Sequence, residues 1–264
     1  MSGDGPPVPI AAAGLRLPRI IAHRGAPREA PENTLAAFRR AHAAGARWVE
    51  FDVALTADAR PVIFHDDGLE RTSDGRGLLA ETSFEQVKHL DAGSWFSPAF
   101  AGEPVPTLEE ALELFVELGL GFNMELKTDP GREIELANVA LPIVFDIWGT
   151  REPVPLISSF APTAVAAAGA LAPQWPRQAL VDRIPADWAD QAGALRVAAI
   201  GANQAHLARE QVMAIRGAGY KLTAYTVNDE ERAATLFQWG VDAIFTDLPG
   251  AMVARFGADL GADR

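Results

Sequence analysis

Four short strings deliver ionisable side chains directly after, or within, apolar runs. IIAHR ends in His23 and Arg24, WVEFDV carries Glu50 and Asp52, VIFHD ends in His65 and Asp66, and FNMELK carries Glu125 and Lys127. Side chains alternate across a strand, so Glu50 and Asp52 share one face, opposite Phe51 and Val53. Two buried carboxylates facing one way need a cation or a shared proton. The competing reading turns that face to solvent, but a parallel strand of a closed sheet has both faces covered. Glu125 shares its face with Lys127 in the same manner. Three carboxylates from two strand ends suit a hard divalent ion taking oxygen ligands, Mg2+ or Ca2+. Zinc is disfavoured, because the chain has no cysteine and no paired-histidine motif. Of five histidines, only His23 and His65 directly follow apolar strand runs. An imidazole titrates near neutrality, which suits both for proton transfer. For Lys127, an ordinary surface ion pair with Asp129 is the alternative.

The elements that must hold these groups alternate between strand and helix. Strands are expected at Ile20–Ala22, Trp48–Leu55, Pro61–Phe64, Gly121–Leu126, Pro155–Ser158, Gln178–Val181, Val197–Ile200, Lys221–Thr226 and Ala243–Thr246. Amphipathic stretches such as Thr34–Ala44, Leu108–Leu118, Arg209–Ala218 and Glu230–Trp239 lie between them. Such alternation argues for a parallel sheet covered by helices. If Pro61–Phe64 doubles back on the second strand, eight parallel strands remain, the content of a (β/α)8 TIM barrel. A doubly wound open sheet is the alternative. Gly45, Gly219 and Gly240 each stand between a helix end and a strand, where a left-handed residue turns the chain back. The barrel is expected over residues 18–256, between tails at 1–17 and 257–264. Residues 67–106 read as a small insertion on the functional face, after the second strand region, with a short helix around Phe84–Leu90.

Composition narrows the partners. The 264 residues carry a formal net charge of -12, which disfavours nucleic acid and anionic bilayers. An anion must be held by a local cationic patch or a metal. The N-terminus does not read as a signal peptide. The longest apolar run, Ala137–Trp148, is too short to span a bilayer. A cytoplasmic protein without stable membrane association is expected, and a homo-oligomer is compatible with the sequence.

The ordered set HRG (His23–Gly25), PENT (Pro31–Thr34), ExD (Glu50–Asp52), HD (His65–Asp66), ELK (Glu125–Lys127), SSF (Ser158–Phe160), YTVN (Tyr225–Asn228) and TDLP (Thr246–Pro249) resembles the glycerophosphodiester phosphodiesterase family. The resemblance runs from about Ile20 to Val253. It implies a (β/α)8 barrel with its site at the carboxyl ends of the strands. It also implies Mg2+- or Ca2+-dependent cleavage of small glycerophosphodiesters to glycerol 3-phosphate and an alcohol, through a cyclic phosphate. By position it makes Glu50, Asp52 and Glu125 metal ligands and His23 and His65 the acid-base pair. Arg24 and Lys127 hold phosphate, and Phe160 and Tyr225 line the pocket. Tyr225 departs from the tryptophan more common in the family. Gly25 would let substrate approach the backbone. Glu32 either holds Arg24 or favours a helix start, and Asn33 or Thr34 caps that helix. No motif is matched over Gln178–Asn203, so the register there is open. A lysophospholipase D-type lipid enzyme of the same superfamily, or a catalytically silent phosphate-binding barrel, are the alternatives.

Overall fold

The structure, a computed structural model, describes residues 15–257. Residues 1–14 and 258–264, most of the two expected tails, lie outside the described part. Leu15 is buried with Ile21, Trp48 and Phe245, so the chain is already packed where the description begins.

The elements run β1 (Ile20–His23), α1 (Leu35–Ala43), β2 (Trp48–Leu55), β3 (Pro61–Ile63), α2 (Phe84–Lys88), α3 (Leu108–Leu118), β4 (Gly121–Leu126), α4 (Glu133–Trp148), β5 (Leu156–Ser159) and α5 (Pro162–Leu171). They continue as β6 (Arg177–Val181), α6 (Trp188–Leu195), β7 (Ala199–Asn203), α7 (Arg209–Gly217), β8 (Lys221–Tyr225), α8 (Glu230–Trp239), β9 (Ala243–Thr246) and α9 (Pro249–Phe256). Parallel pairing runs from β1 through β9, β8, β7, β6, β5 and β4 to β2, and β1 also pairs with β2. That last ladder closes the sheet and excludes the open doubly wound alternative. Among the described residues strand β3 is the one antiparallel member of the sheet, doubling back on β2 with Val53 opposite Ile63.

The outward residues of β2, Val49, Phe51 and Val53, meet the helix layer in one cluster with Phe38, Phe115 and Phe122. Full burial of a large apolar side chain contributes roughly 1.5–3 kcal/mol, and this ring cluster anchors β2 against α1 and α3. The inward residues are different. Polar pairs cross between strands there: Asn123 Nδ2 donates to Ser158 Oγ at 2.8 Å, and Thr223 Oγ1 to Gln178 Oε1 at 3.0 Å. A barrel interior with both faces covered therefore rises from apolar residues through a polar layer to the charged groups at its carboxyl end.

Helix ends follow the expected chemistry. Gly45, Gly219 and Gly240 all have positive φ, at 91°, 88° and 108°. Thr34, and not Asn33, caps α1, accepting from the Ala37 amide. Strand β7 begins at Ala199 and runs to Asn203, beyond the expected Val197–Ile200, because Val197 still bonds back to Ala192 at the end of α6.

Gly25 has a different role from the one expected. Its φ is +87°, and a Cβ there would sit 2.6 Å from the backbone carbon of Ala37. The missing side chain makes room for α1, not for substrate. We expect Gly25→Ala to lower stability by roughly 1–3 kcal/mol through overpacking alone, with backbone strain added. A denaturant midpoint indistinguishable from wild type would contradict this.

The insertion has its own small core of Leu69, Leu79, Val87 and Val105 against Ala54, Val62 and Phe64. Asp91 organises its far side, accepting from the amides of Gly93, Ser94 and Gly102. Helix α2 starts with a reciprocal capping box between Ser83 and Gln86.

Candidate active site

Parallel register brings the carboxylates together. Asp52 lies opposite Glu125, and His23 lies opposite Glu50. One oxygen from each of Glu50, Asp52 and Glu125 falls within 4.8 Å of the other two. Glu50 is 3% exposed and Asp52 1%. Burial, then repulsion from Asp52 and Glu125, pushes the Glu50 carboxyl well above its ordinary value. Burial and then Asp52 push Glu125 up to about 7. Asp52 Oδ2 accepts from Asn33 Nδ2 at 2.8 Å, but buried Oδ1 has no protein partner. An orphaned oxygen inside a ring of mutually repelling carboxylates is what a hard divalent cation would satisfy. The donor set fits such an ion.

Arg24 stands beside this triad in a left-handed backbone conformation, φ 54°. Its amide donates both to the Glu50 carbonyl (2.9 Å) and to Glu50 Oε2 (3.0 Å). Its guanidinium donates to Glu32 Oε1 at 2.8 Å and lies 3.1 Å from Asp52 Oδ2. Of the two readings of Glu32, the pairing with Arg24 is the one observed. On the opposite flank Lys127 Nζ is 3.3 Å from Glu125 Oε1 and donates to His65 Nε2 at 3.4 Å. The lysine thus faces inward to these groups.

Each imidazole is held by a carboxylate through Nδ1. His23 Nδ1 donates to Asp247 Oδ1 at 2.8 Å, and His65 Nδ1 to Asp66 Oδ1 at 2.5 Å. Both acceptors are carboxylates, so Nδ1 carries the hydrogen and Nε2 is left for chemistry. Asp247 is fixed in turn by Asn228, which donates to its Oδ2 at 2.7 Å and accepts from its amide at 2.8 Å. Burial acts to raise Asp247, but the His23 and Asn228 bonds outweigh it and hold the carboxyl low. For His65, burial is the largest influence and lowers its proton affinity. Arg24 and Lys127 add to that, against Asp52 and Asp66.

Phe160 and Tyr225 meet edge to face, ring centres 5.7 Å apart. Tyr225 Oη donates to the Val181 carbonyl at 2.8 Å, and burial keeps the phenol protonated. Phe160 is 48% exposed at the rim. It walls a cleft of about 140 Å3, open to solvent, with His65, Glu125, Lys127 and Asp129.

All ten residues singled out in the sequence gather at the carboxyl end of the barrel or on its rim. Asp66, Asp247, Asn228, Asn33 and Arg71 enter the site without an expected part in it, Asn33 having been expected only as a helix cap. The first four lie inside quoted strings, HD, TDLP, YTVN and PENT, so the motifs held the signal. Arg71 had none beyond its place in the insertion.

A family model described as the glycerophosphoryl diester phosphodiesterase family matches residues 23–251. A phosphodiesterase of Oleispira antarctica, solved in complex with the product sn-glycerol-3-phosphate, superposes with a TM-score of 0.88 at 42% identity, covering 90% of this chain and 96% of that one. The crystal structure of the glycerophosphodiester phosphodiesterase of Agrobacterium tumefaciens gives a TM-score of 0.75 at 30% identity, covering 90% and 100%. The glycerophosphodiester phosphodiesterase of Caldanaerobacter subterraneus is 34% identical over 241 residues, 89% of this chain and 96% of the relative. With a match across nearly the whole barrel and the acidic triad at its mouth, the chain belongs to the glycerophosphoryl diester phosphodiesterase family.

Proposed function

We propose that this chain hydrolyses small glycerophosphodiesters to glycerol 3-phosphate and an alcohol, with Glu50, Asp52 and Glu125 holding Mg2+ or Ca2+. The observation that carries the reading is the convergence of three carboxylates within 4.8 Å, with Lys127 joining Glu125 to His65. A divalent ion held there supplies charge that polarises a phosphoryl oxygen. Arg24 contributes planar donors to the phosphate and Lys127 a compact charge. Glu32 and Asp52 hold the guanidinium in place before substrate arrives.

Proton movement falls to the two imidazoles. His65 Nε2 faces an ammonium, so it presents a lone pair and enters as the proton acceptor. It takes the hydrogen of the glycerol 2-hydroxyl as that oxygen bonds to phosphorus. The phosphorus bond to the alcohol breaks, and His23 returns a proton to the departing oxygen. Asp247 holds the His23 ring through Nδ1 and so orients it for this step. Water then opens the cyclic phosphate with the two roles exchanged. Phe160 and Tyr225 form the wall against which the alcohol packs.

Chelator treatment followed by metal add-back, with glycerophosphocholine and other glycerophosphodiesters as substrates, tests this reading. Release of glycerol 3-phosphate that ignores the chelator would refute it, and so would a preference for a lysolipid. The pH dependence carries a sign. With its carboxyl near 7, ion-free Glu125 is protonated as pH falls below that value, and protons compete with the cation. The ion concentration giving half-maximal activity is therefore expected to rise between pH 8 and pH 6. A constant requirement across that range would contradict the assignment.

A further inference from the structure

The insertion reaches back into the site through one residue. Arg71 Nη1 and Nη2 donate to Glu32 Oε2 and Oε1, both at 2.8 Å. Its Nε and Nη2 also donate to Asp66 Oδ2 and Oδ1, at 2.5 and 2.8 Å. Each carboxylate so held has an inner partner: Asp66 accepts from His65, and Glu32 from Arg24. The base of the arginine is itself fixed. Ser73 Oγ donates to the Leu69 carbonyl, the Leu69 amide to the Gly77 carbonyl, and the Gly77 amide to Glu70 Oε1.

A lone exposed ion pair contributes little, and the Arg71 side chain is 46% exposed. This arrangement is of another kind. One planar guanidinium holds two carboxylates that would otherwise repel each other, at fixed separation and orientation. Without it Asp66, 25% exposed at its side chain, can turn toward water and release the His65 ring. Glu32 loses its second partner at the same time, leaving Arg24 more free to close on Asp52.

We propose that Arg71 is a positioning residue: it locks Asp66 against His65 and Glu32 against Arg24, so that the insertion sets the geometry of proton acceptor and phosphate clamp together. This rests on the reading that His65 moves a proton. The imidazole then occupies one orientation before substrate arrives, which is where an orienting group contributes most.

The test compares Arg71→Ala, Arg71→Lys, Asp66→Asn, the double variant Arg71→Ala/Asp66→Asn and His65→Ala, on glycerophosphocholine with saturating divalent ion. Arg71→Ala is expected to lower kcat by up to about 100-fold, the scale of a misplaced reacting group. Arg71→Lys recovers only a small part, because a point charge cannot hold two carboxylate planes. In the Asp66→Asn background the Arg71→Ala loss shrinks, since the arm through Asp66 and His65 is already weakened and chiefly the arm through Glu32 and Arg24 remains to be lost. Losses that multiply in the double variant, or wild-type kcat in either Arg71 variant, would overturn the proposal. If Arg71→Ala also melts early, Arg71→Lys decides by the same criterion. A depressed His65→Ala beside an unaffected Arg71→Ala leaves the active-site reading standing and removes only Arg71. A fully active His65→Ala removes both.

Discussion

His65→Ala and His23→Ala are each expected to lower kcat by about 10^2 to 10^4-fold, the range typical of a lost general acid or base. Neither ring is part of the apolar core: their side chains are 29% and 19% exposed. Removing either should leave the protein folded, with a stability loss of about 1–3 kcal/mol, because each ring leaves a partly buried carboxylate short of one partner. Glycerol 3-phosphate release at saturating substrate and ion, with circular dichroism as the folding control, separates catalysis from stability. The two variants should also differ in their supports. Asp66 is charge-compensated by close hydrogen bonds from Arg71, whereas beyond His23 Asp247 has the neutral Asn228 amide and only a distant guanidinium, Arg28 at 3.9 Å. Asp247→Asn therefore removes both the orientation and the countercharge of His23, and its loss should approach that of His23→Ala. Near-wild-type turnover in either purified histidine variant would reject the proton-transfer assignment.

The barrel was legible because its signals are local and repeated. Apolar strand runs, helix-ending glycines at 45, 219 and 240, and the doubling back of Pro61–Ile63 each act within a few residues. Glu50 and Asp52 could be placed on one face because a strand has a fixed period of two. Partners far apart in sequence left no such trace. His23 meets Asp247 across 224 positions, and which carboxylate orients which imidazole is decided by barrel closure alone. The motif strings contained Asp247 and Asn228, yet a string states neither a contact nor a direction. Gly25 was misread because its neighbour, Ala37, sits on a helix whose approach no local pattern predicts. The start of β7 was misplaced for a related reason: Val197 and Ala198 are as apolar as the strand they precede. Arg71 lies in an irregular segment with neither period, where a functional arginine looks like any exposed one.

Glu50→Gln is expected to abolish most activity and yet make the ion-free protein more heat-resistant at pH 8. The triad is unfavourable when empty of a cation. Glu50 and Glu125 both have folded-state carboxyls raised above their ordinary range, first by burial and then by neighbouring negative charge. A raised carboxyl means that the folded state binds more protons than the unfolded one. Stability is then fully present below the unfolded value, roughly 4.3, and is lost as pH rises through the folded value, about 7 for Glu125. Ion-free wild type should therefore melt lower at pH 8 than at pH 5. Saturating divalent ion should reverse the loss at pH 8 and do little at pH 5, because ligand binding stabilises only where the ligand binds. Replacing Glu50 by its neutral isostere removes one of the repelling charges, which flattens the pH dependence of melting and weakens its response to the ion. Activity should fall by at least the roughly 10–100-fold that disturbing a metal's surroundings costs. The rest of the acidic surface titrates equally in both proteins, so the difference between the two melting curves isolates the triad. Parallel curves for wild type and Glu50→Gln, with and without ion, would mean that these carboxylates neither strain the fold nor hold a metal.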